Sequence, residues 1–415
     1  MQTNMGINIC GYINSEFGLG EAVRALIHAI DAAGIPYVLN NFTANKHRKK
    51  DTSFHHFTRE NPYPINLILV NPDMLDTLIM EYGTEYFQGK YTIGYWFWEL
   101  SDLPNKWLKY FDFFHEIWTG SRYCLDAIAT VSNIPVVRIP PAMHPEPVNT
   151  SPAFLRHMTN RTVFLYIFDF YSTFQRKNPD KVIRAFLQNF SGRSDVMLVI
   201  KYTNADIDGA NARLLNRMTD GHENIHIING YLQRNDMAAL LKRADCYVSL
   251  HAAEGFGLTI AEAMMLGKPV IATGYSANMD FMTVNNSFPV RYTLTEIQKS
   301  DGAYLKGQVW ADPDEAHCAA LMKHVADNPK EAARIGSRAK SDIAVLFNKH
   351  AIGRRIKTRI SRISEFTNHF DTIINTPSHQ LDLIQAYEAL LVSQKKQDML
   401  KRIVRWFMRK TGLQM

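Results

Sequence analysis

Short runs of consecutive apolar residues alternate along this chain with stretches whose apolar positions recur every three to four residues. The first run spans residues 7–13, and the stretch behind it is helical by this criterion. Its apolar face comprises Ala22, Val23, Leu26, Ile27 and Ile30. Further apolar runs, predicted to be buried strands, are residues 65–70, 91–98, 116–120 and 135–140. This β–α alternation predicts a doubly wound α/β domain around a parallel sheet.

A proline-rich stretch interrupts the alternation. Residues 140–152 contain five prolines in thirteen positions, and proline cannot continue a helix or a central strand because it lacks the amide hydrogen. We therefore interpret this stretch as a linker between two domains. The alternation restarts behind it, with predicted strands at residues 162–169, 196–202, 224–229, 246–251 and 269–274. The second domain is predicted to be α/β and doubly wound as well.

These patterns divide the chain into four parts. Two Rossmann-like domains are predicted at residues 1–148 and 155–345, and only helical patterns follow. Residues 346–372 form a basic amphipathic helix that is expected to cross back to the N-terminal domain. The last part, 378–415, is a basic amphipathic tail.

The tail carries an apolar stripe among lysines and arginines. The stripe comprises Met399, Ile403, Trp406 and Phe407. This combination is typical of a helix that lies in the headgroup plane of an anionic membrane. The alternative is that the tail packs on the protein itself or on a second subunit. In the second case the protein would be a homo-oligomer.

Charge and composition narrow the classes of function. The net charge of the 415-residue chain is +6, which suits anionic ligands or a membrane surface but is too small to indicate nucleic acid. No signal peptide is recognisable, and no apolar run approaches the roughly 18–20 residues of a membrane span. We therefore expect a cytoplasmic protein, in solution or peripheral on the inner face of a membrane.

The segment HAAEGFGLTIAEAMMLGKPV, residues 251–270, contains two carboxylates eight positions apart, Glu254 and Glu262. Glu254 falls in the loop after a predicted strand, and ligands of open parallel sheets bind at the carboxyl ends of strands. Glu262 falls about one turn into the next helix and is expected to face the same crevice.

The residues between the two carboxylates favour an anion. Gly255 and Gly257 allow the backbone to approach a ligand closely, and the amides of Phe256, Leu258 and Thr259 open the helix. Free amides and the macrodipole at a helix N-terminus bind phosphate, whereas a carboxylate accepts hydrogen bonds from sugar hydroxyls. Together these features predict a site for a nucleoside diphosphate sugar.

The stretch EGFGLTIAE resembles the Glu-seven-residues-Glu motif of retaining glycosyltransferases with the GT-B fold, most closely family four. Residues 244–282 around it fit the family, including the Gly-Lys-Pro-Val turn. Residues 11–36 resemble the first strand, glycine loop and helix, with Gly18 and Gly20 in the loop. Residues 168–186 resemble the segment that supplies a phosphate-binding lysine, here Lys177. The resemblance covers about residues 6–345 and implies two Rossmann-like domains facing a central cleft. The C-terminal domain is expected to hold the donor nucleotide, and the acceptor is expected to enter from the side of the N-terminal domain.

The sequence departs from the family pattern at two places. The family usually has an arginine five positions before the lysine, where this chain has Ser172. Arg176 or Lys201 is the candidate for that missing charge. Many relatives also carry a histidine after the fourth strand, whereas IGYWFWELSDLP has none. Glu99 is our candidate for a polar contact there, and capping of the following helix is the alternative.

The resemblance implies transfer of a hexose from a nucleotide diphosphate sugar to a glycan or lipid-linked acceptor, with retention at the anomeric carbon. Lys177 and the amides from Gly255 to Leu258 would stabilise the diphosphate, Glu262 would hold the ribose, and Glu254 the sugar hydroxyls. No cofactor or metal is expected, since the Asp-x-Asp strings at 206–208 and 312–314 fall at predicted helix starts, where Asp is a common cap.

Two other functions use the same fold. A nucleotide-sugar epimerase would use the same cleft but needs a dense set of acid and base residues around the sugar, which we do not find in the sequence. A non-catalytic scaffold would not need Glu254, Glu262 and Lys177, which are all present. The donor nucleotide, the sugar and the acceptor are not determined by these motifs.

Overall fold

The computed structural model describes residues 5–144, 152–369, 389, 390, 392–396 and 399. An N-terminal sheet of six parallel strands has the order β2-β1-β3-β4-β5-β6. Its strands are β1 (Ile7–Gly11), β2 (Tyr37–Asn41), β3 (Ile65–Leu69), β4 (Tyr91–Tyr95), β5 (Glu116–Thr119) and β6 (Val136–Arg138). Strands β1 and β3 are buried at every position, as expected for strands covered on both faces.

Three α-helices connect these strands: α1 (Gly18–Ala32), α2 (Leu75–Tyr82) and α3 (Arg122–Ala129). The face of α1 that the sequence predicted is buried against the sheet. Strand β4 is shorter than predicted, because residues 96–98 leave the sheet at its carboxyl end.

The C-terminal sheet also has six parallel strands, in the order β12-β11-β10-β7-β8-β9. They are β7 (Thr162–Asp169), β8 (Val196–Thr203), β9 (Ile225–Asn229), β10 (Cys246–Ser249), β11 (Val270–Thr273) and β12 (Phe288–Val290). The remaining helices are α4 (Phe174–Lys177), α5 (Pro179–Phe190), α6 (Gly209–Thr219), α7 (Arg234–Arg243), α8 (Leu258–Met265), α9 (Glu315–Asp327), α10 (Pro329–Leu346) and α11 (Lys349–His369). These two sheets confirm the predicted class of two doubly wound α/β domains.

An antiparallel hairpin, β13 (Tyr292–Glu296) and β14 (Val309–Pro313), follows β12 and was not predicted. Each parallel sheet has one switch point, between β1 and β3 in the first and between β7 and β10 in the second. Loops on either side of a switch point diverge and leave a crevice, which is where open α/β sheets bind ligands.

Helix α11 packs on α1 of the N-terminal domain. Arg359 of α11 forms an ion pair with Glu116, a carboxylate with no exposed surface. The indole of Trp118 also donates to this carboxylate, over 2.6 Å. Because an unpaired buried charge is costly, this contact ties the C-terminal helix to the N-terminal sheet.

Part of the proline-rich linker and almost all of the predicted tail at 378–415 lie outside the described residues. Among the described helices, none combines the length and the apolar character that crossing a membrane requires.

Replacing Gly353 by alanine should destabilise the contact between α1 and α11. A Cβ at this position would lie 2.3 Å from the carbonyl oxygen of Ala29. Overpacking of this kind costs about 1–3 kcal/mol, which exceeds the roughly 0.5–1 kcal/mol that alanine gains over glycine within a helix. Urea unfolding measures the difference.

Gly209→Ala is the matched control, since the nearest atom to its Cβ would be a guanidinium nitrogen of Arg213 at 3.3 Å. This variant should be as stable as the wild type or slightly more so. A Gly353→Ala protein of undiminished stability would contradict the tight packing.

Candidate active site

A largely buried ion pair, with side chains 15% and 14% exposed, lies at the switch point of the C-terminal sheet. Glu254 is in the loop after β10, and its carboxylate accepts a hydrogen bond from the Lys177 ammonium. Arg176 Nη1 lies 3.7 Å from the other carboxylate oxygen. Burial alone would raise the pKa of Glu254, but the charges of Lys177 and Arg176 lower this pKa to about 2. Glu254 is therefore an anion at neutral pH.

The two loops that carry this pair hold one another. Thr173 and Asn178, on either side of α4, have φ angles of +63° and +50°, and a β-branched residue in that region costs on the order of 1–3 kcal/mol. The Asn178 side chain donates to the carbonyl of Leu250 over 2.9 Å, and the amide of Ala252 donates to the carbonyl of Arg176 over 2.7 Å. These bonds keep the loop after β7 against the loop after β10.

Arg176 connects the site to the N-terminal domain. Its side chain is 5% exposed, and Nη1 donates to the carbonyl of Ala253 over 2.9 Å. Nη2 lies 3.8 Å from a carboxylate oxygen of Glu99, which follows β4. Within the described chain, the buried Nε of Arg176 has no hydrogen-bond partner. The guanidinium thus lies between a carboxylate of each domain.

Tyr304, which the sequence analysis missed, completes this group. Its hydroxyl donates to Glu99 over 3.1 Å, and its ring stacks on Trp98 with centroids 5.5 Å apart. The Arg176 guanidinium lies 5.8 Å from the centre of the same ring. Glu99 does not cap the next helical turn, whose N-cap is Pro104. Tyr304 belongs to the segment between β13 and β14, which has no periodic pattern that would place it here.

The glycines before α8 meet specific geometric demands. Gly257 is the N-cap of α8 and has a φ of +90°, a region that favours glycine. A Cβ on Gly255 would lie 3.3 Å from the carbonyl oxygen of Trp98. The loop therefore lies directly against the N-terminal domain, and Phe256 between the glycines is buried.

Helix α8 begins directly after this loop, so its first backbone amides lie next to the two glycines. Leu258 and Thr259 begin the helix, and the Thr259 hydroxyl accepts a hydrogen bond from Tyr247 over 2.8 Å. Glu262 follows one turn later and is half-buried. The helix thus offers amide donors and a carboxylate along a single turn.

Gly18 and Gly20, at the start of α1, differ in the space that is available for a side chain. A Cβ at Gly20 would lie 2.0 Å from the carbonyl oxygen of Ser15, so the turn into α1 excludes any side chain there. A Cβ at Gly18 would meet no atom within 4 Å. Gly20 is therefore explained by packing, whereas packing gives no reason for Gly18.

Lys201 lies in β8, two residues before the carboxyl end of the strand. It is 5% exposed, and no hydrogen bond or ion pair joins its ammonium to another described residue. Burial lowers the pKa of Lys201 to about 8, although the charge of Asp169 raises it in part. A buried cation without a partner is a candidate for binding an anion.

Comparison with known structures defines the class of fold. The chain has the GT-B fold: HepE of Anabaena, in complex with UDP and glucose, superimposes with a TM-score of 0.62 at 14% identity, covering 86% of this chain and 100% of that chain. Sucrose-phosphate synthase of Thermosynechococcus elongatus gives 0.62 at 14%, covering 87% and 99%. A glycosyltransferase of Rickettsia africae gives 0.60 at 13%, covering 86% and 97%.

The sequence itself agrees with that class over one domain. Residues 156–342 match the family model of glycosyl transferases group 1. A comparison with curated proteins found no match. The C-terminal domain is thus similar to group 1 glycosyl transferases, and the likeness to the solved structures shows that the whole chain has their fold.

Lys201→Met should raise the stability of the ligand-free protein at pH 7. Since the folded pKa of about 8 lies below the ordinary value of 10.5, the unfolded chain binds the proton more strongly. The variant should therefore gain about 3 kcal/mol at pH 7. The gain should shrink as the pH rises from about 8 to 10.5, because the folded wild-type lysine then loses its charge.

Thermal unfolding at several pH values measures this effect. Lys323→Met removes a side chain that is 57% exposed and paired with Asp327, so it should change stability little at any pH. A Lys201→Met variant that is destabilised at pH 7 would show that the ammonium has a partner in the folded protein.

Proposed function

We propose that the protein transfers a hexose from a nucleoside diphosphate sugar to a hydroxyl of a glycan or lipid-linked acceptor, with retention at the anomeric carbon. The observation that carries this proposal is the joining of Lys177, Arg176 and Glu254 at the switch point, beside the amino end of α8. Structures of HepE with UDP and with UDP-glucose make UDP-glucose the first donor to test.

The positive charges of the site suit the diphosphate. Lys177 and Arg176 are both paired with Glu254 in the ligand-free protein, so their charges are already at the crevice. Lys201 adds a third cation at the end of β8. A diphosphate that forms hydrogen bonds with these groups and with the amides of residues 255–258 gains charge-assisted bonds in a largely dry site.

The carboxylates suit the hydroxyl groups of the donor. Glu262 would accept hydrogen bonds from the ribose, and Glu254 from the hexose. Glu254 keeps its charge because of the cations around it. Glu99 would make a polar contact on the acceptor side, where Arg176 and Tyr304 orient its carboxylate.

In the reaction itself, the bond between the anomeric carbon and the diphosphate oxygen breaks, and the acceptor oxygen forms the new bond on the same face. Negative charge grows on the leaving diphosphate, so fixed cations stabilise the transition state more than the ground state. The leaving phosphate accepts the proton of the acceptor hydroxyl. No carboxylate is needed as a nucleophile. A lipid-linked acceptor would suit the basic tail, which we propose associates with an anionic membrane surface.

Nucleotide release with and without a panel of acceptors tests the proposal. Release that depends on an acceptor and yields a glycoside supports transfer. Release without transfer and with formation of an epimeric sugar would assign the site to an epimerase. A protein that binds none of a panel of UDP, GDP and ADP sugars, and releases no nucleotide from them, would be a scaffold.

Glu262→Gln should weaken donor binding through the ribose. A hydrogen bond to a charged acceptor contributes about 1.5–3 kcal/mol, so the donor KM should rise more than tenfold. The thermal shift that the nucleotide produces should shrink in parallel. Glu223→Gln, an exposed residue of the same domain, is the control. An unchanged donor KM in Glu262→Gln would remove this residue from the site.

Activity should persist in excess EDTA, because lysine, arginine and backbone amides supply the positive charge. In the described part of the chain, no group of three or more His, Cys, Asp or Glu side chains is placed to hold a metal. Of the Asp-x-Asp strings, Asp208 and Asp314 cap α6 and α9, and Asp312 pairs with Lys181. Complete loss of activity that magnesium restores would contradict this expectation.

A further inference from the structure

A second recess lies next to the ion pair, on the side of the β13–β14 hairpin. It has a volume of about 560 Å³ and is enclosed by residues 295–301, 304 and 310–312 on one side and by the loop and helix at 173–181 on the other. We call it the hairpin cavity. Ligand sites typically have volumes of about 300–1,000 Å³, so it is large enough for one or two sugar rings.

We propose that the hairpin cavity binds a neutral, hydroxyl-rich sugar, the acceptor glycan of the transfer. This inference rests on the proposed function, because it assigns the acceptor of that reaction. It adds a binding surface that the motifs for the donor do not include.

The lining combines aromatic rings with neutral polar groups. Tyr304 and Trp310 both line the cavity, with ring centroids 6.2 Å apart, and both are half-buried. Aromatic faces cover the apolar C–H face of a sugar ring, while hydroxyl and amide side chains reach its hydroxyl groups. The neutral polar residues of the lining are Thr173, Gln175, Asn178, Thr295, Gln298 and Ser300.

The charge of the lining argues against a phosphate. Three carboxylates, Glu296, Asp301 and Asp312, face only two ammonium groups, Lys181 and Lys299. Lys181 is moreover paired with Asp312. The carboxylates of the lining therefore outnumber its ammonium groups, and this excess of negative charge disfavours binding of a diphosphate.

Backbone hydrogen bonds form the cavity before any ligand enters. The amide of Ala311 in β14 donates to the carbonyl of Ala252 over 3.0 Å, and the backbones of Asp301 and Tyr304 form mutual bonds of 2.9 and 3.0 Å. A site that is already ordered loses less entropy on binding.

The cavity also adjoins the proposed reaction centre. Ala252, which lines it, is two residues before Glu254 in the same loop. Tyr304 lines it too and donates to Glu99 on the other side. The lining residues belong to the C-terminal domain, and the Tyr304 hydroxyl reaches Glu99 of the N-terminal domain. A sugar in the cavity would therefore border the side from which the acceptor is expected to enter.

Trp310→Ala tests the inference, with Leu294→Ala as the matched control. Leu294 pairs with Ala311 across the same hairpin but is 60% exposed and does not line the cavity. Saturation-transfer NMR measures the binding of neutral trisaccharides built from glucose, galactose, mannose and N-acetylglucosamine. Thermal shift measures the binding of UDP to the same proteins.

At least one trisaccharide should bind the wild type and Leu294→Ala equally, and at least tenfold more weakly to Trp310→Ala. Excess UDP should not displace it, and UDP affinity should stay within twofold in all three proteins. Gln298→Trp places a bulky ring in the cavity from an exposed position and should also block sugar binding. This second variant tests the inference even if Trp310→Ala fails to fold.

The inference is overturned if no trisaccharide binds the wild type, if both cavity variants bind it normally, or if UDP displaces it. Sugar binding that follows these variants, in a protein that binds no nucleotide sugar and transfers nothing, would instead refute the proposed transfer while leaving a sugar-binding cavity. The two failures are therefore distinguishable.

Discussion

The negative charge of Glu254, largely buried where the two domains meet, is the constraint on which the site depends. A carboxylate in this position requires cations close by, because desolvation without compensation costs several kcal/mol. Lys177 and Arg176 supply them from the loop after β7. Arg176, which is itself buried, then requires further acceptors and finds Ala253 and Glu99. One buried charge thus links two loops of one domain to a strand end of the other.

The contacts around this charge close the cleft along a seam. The carbonyl of Gly255 accepts hydrogen bonds from the Ser121 hydroxyl at 2.8 Å and the Cys124 thiol at 3.1 Å. Asp280 of the C-terminal domain accepts bonds from the Arg138 side chain and the amide of Arg122. The loop that carries Glu254 therefore also forms part of the seam between the two domains.

The strands and the positions of Glu254 and Glu262 in the fold could be predicted because they depend on local patterns. Apolar runs such as residues 65–70 are buried on both faces of a parallel sheet, so such strands can be recognised in the sequence by their nearly continuous apolar residues. The loop position of Glu254 follows from the strand before it, and the position of Glu262 from the helix after it. No local pattern indicates the contact between Tyr304 and Glu99, because the two residues are 205 positions apart and Tyr304 lies in an irregular segment.

The sequence by itself determined two doubly wound domains, most of their strands though not β2, β12 or the β13–β14 hairpin, and which carboxylates and lysines lie at or near the carboxyl ends of strands. Helical and strand periodicities are local, so the chain encodes them within a few turns. Only the tertiary structure decided that Arg176 rather than Lys201 lies beside Glu254, that Glu99 contacts Tyr304, and that the hairpin lines a cavity. The contact between Glu99 and Tyr304 depends on how the two domains approach each other. The other two outcomes depend on how separate loops of the C-terminal domain pack, and no local pattern specifies packing of either kind.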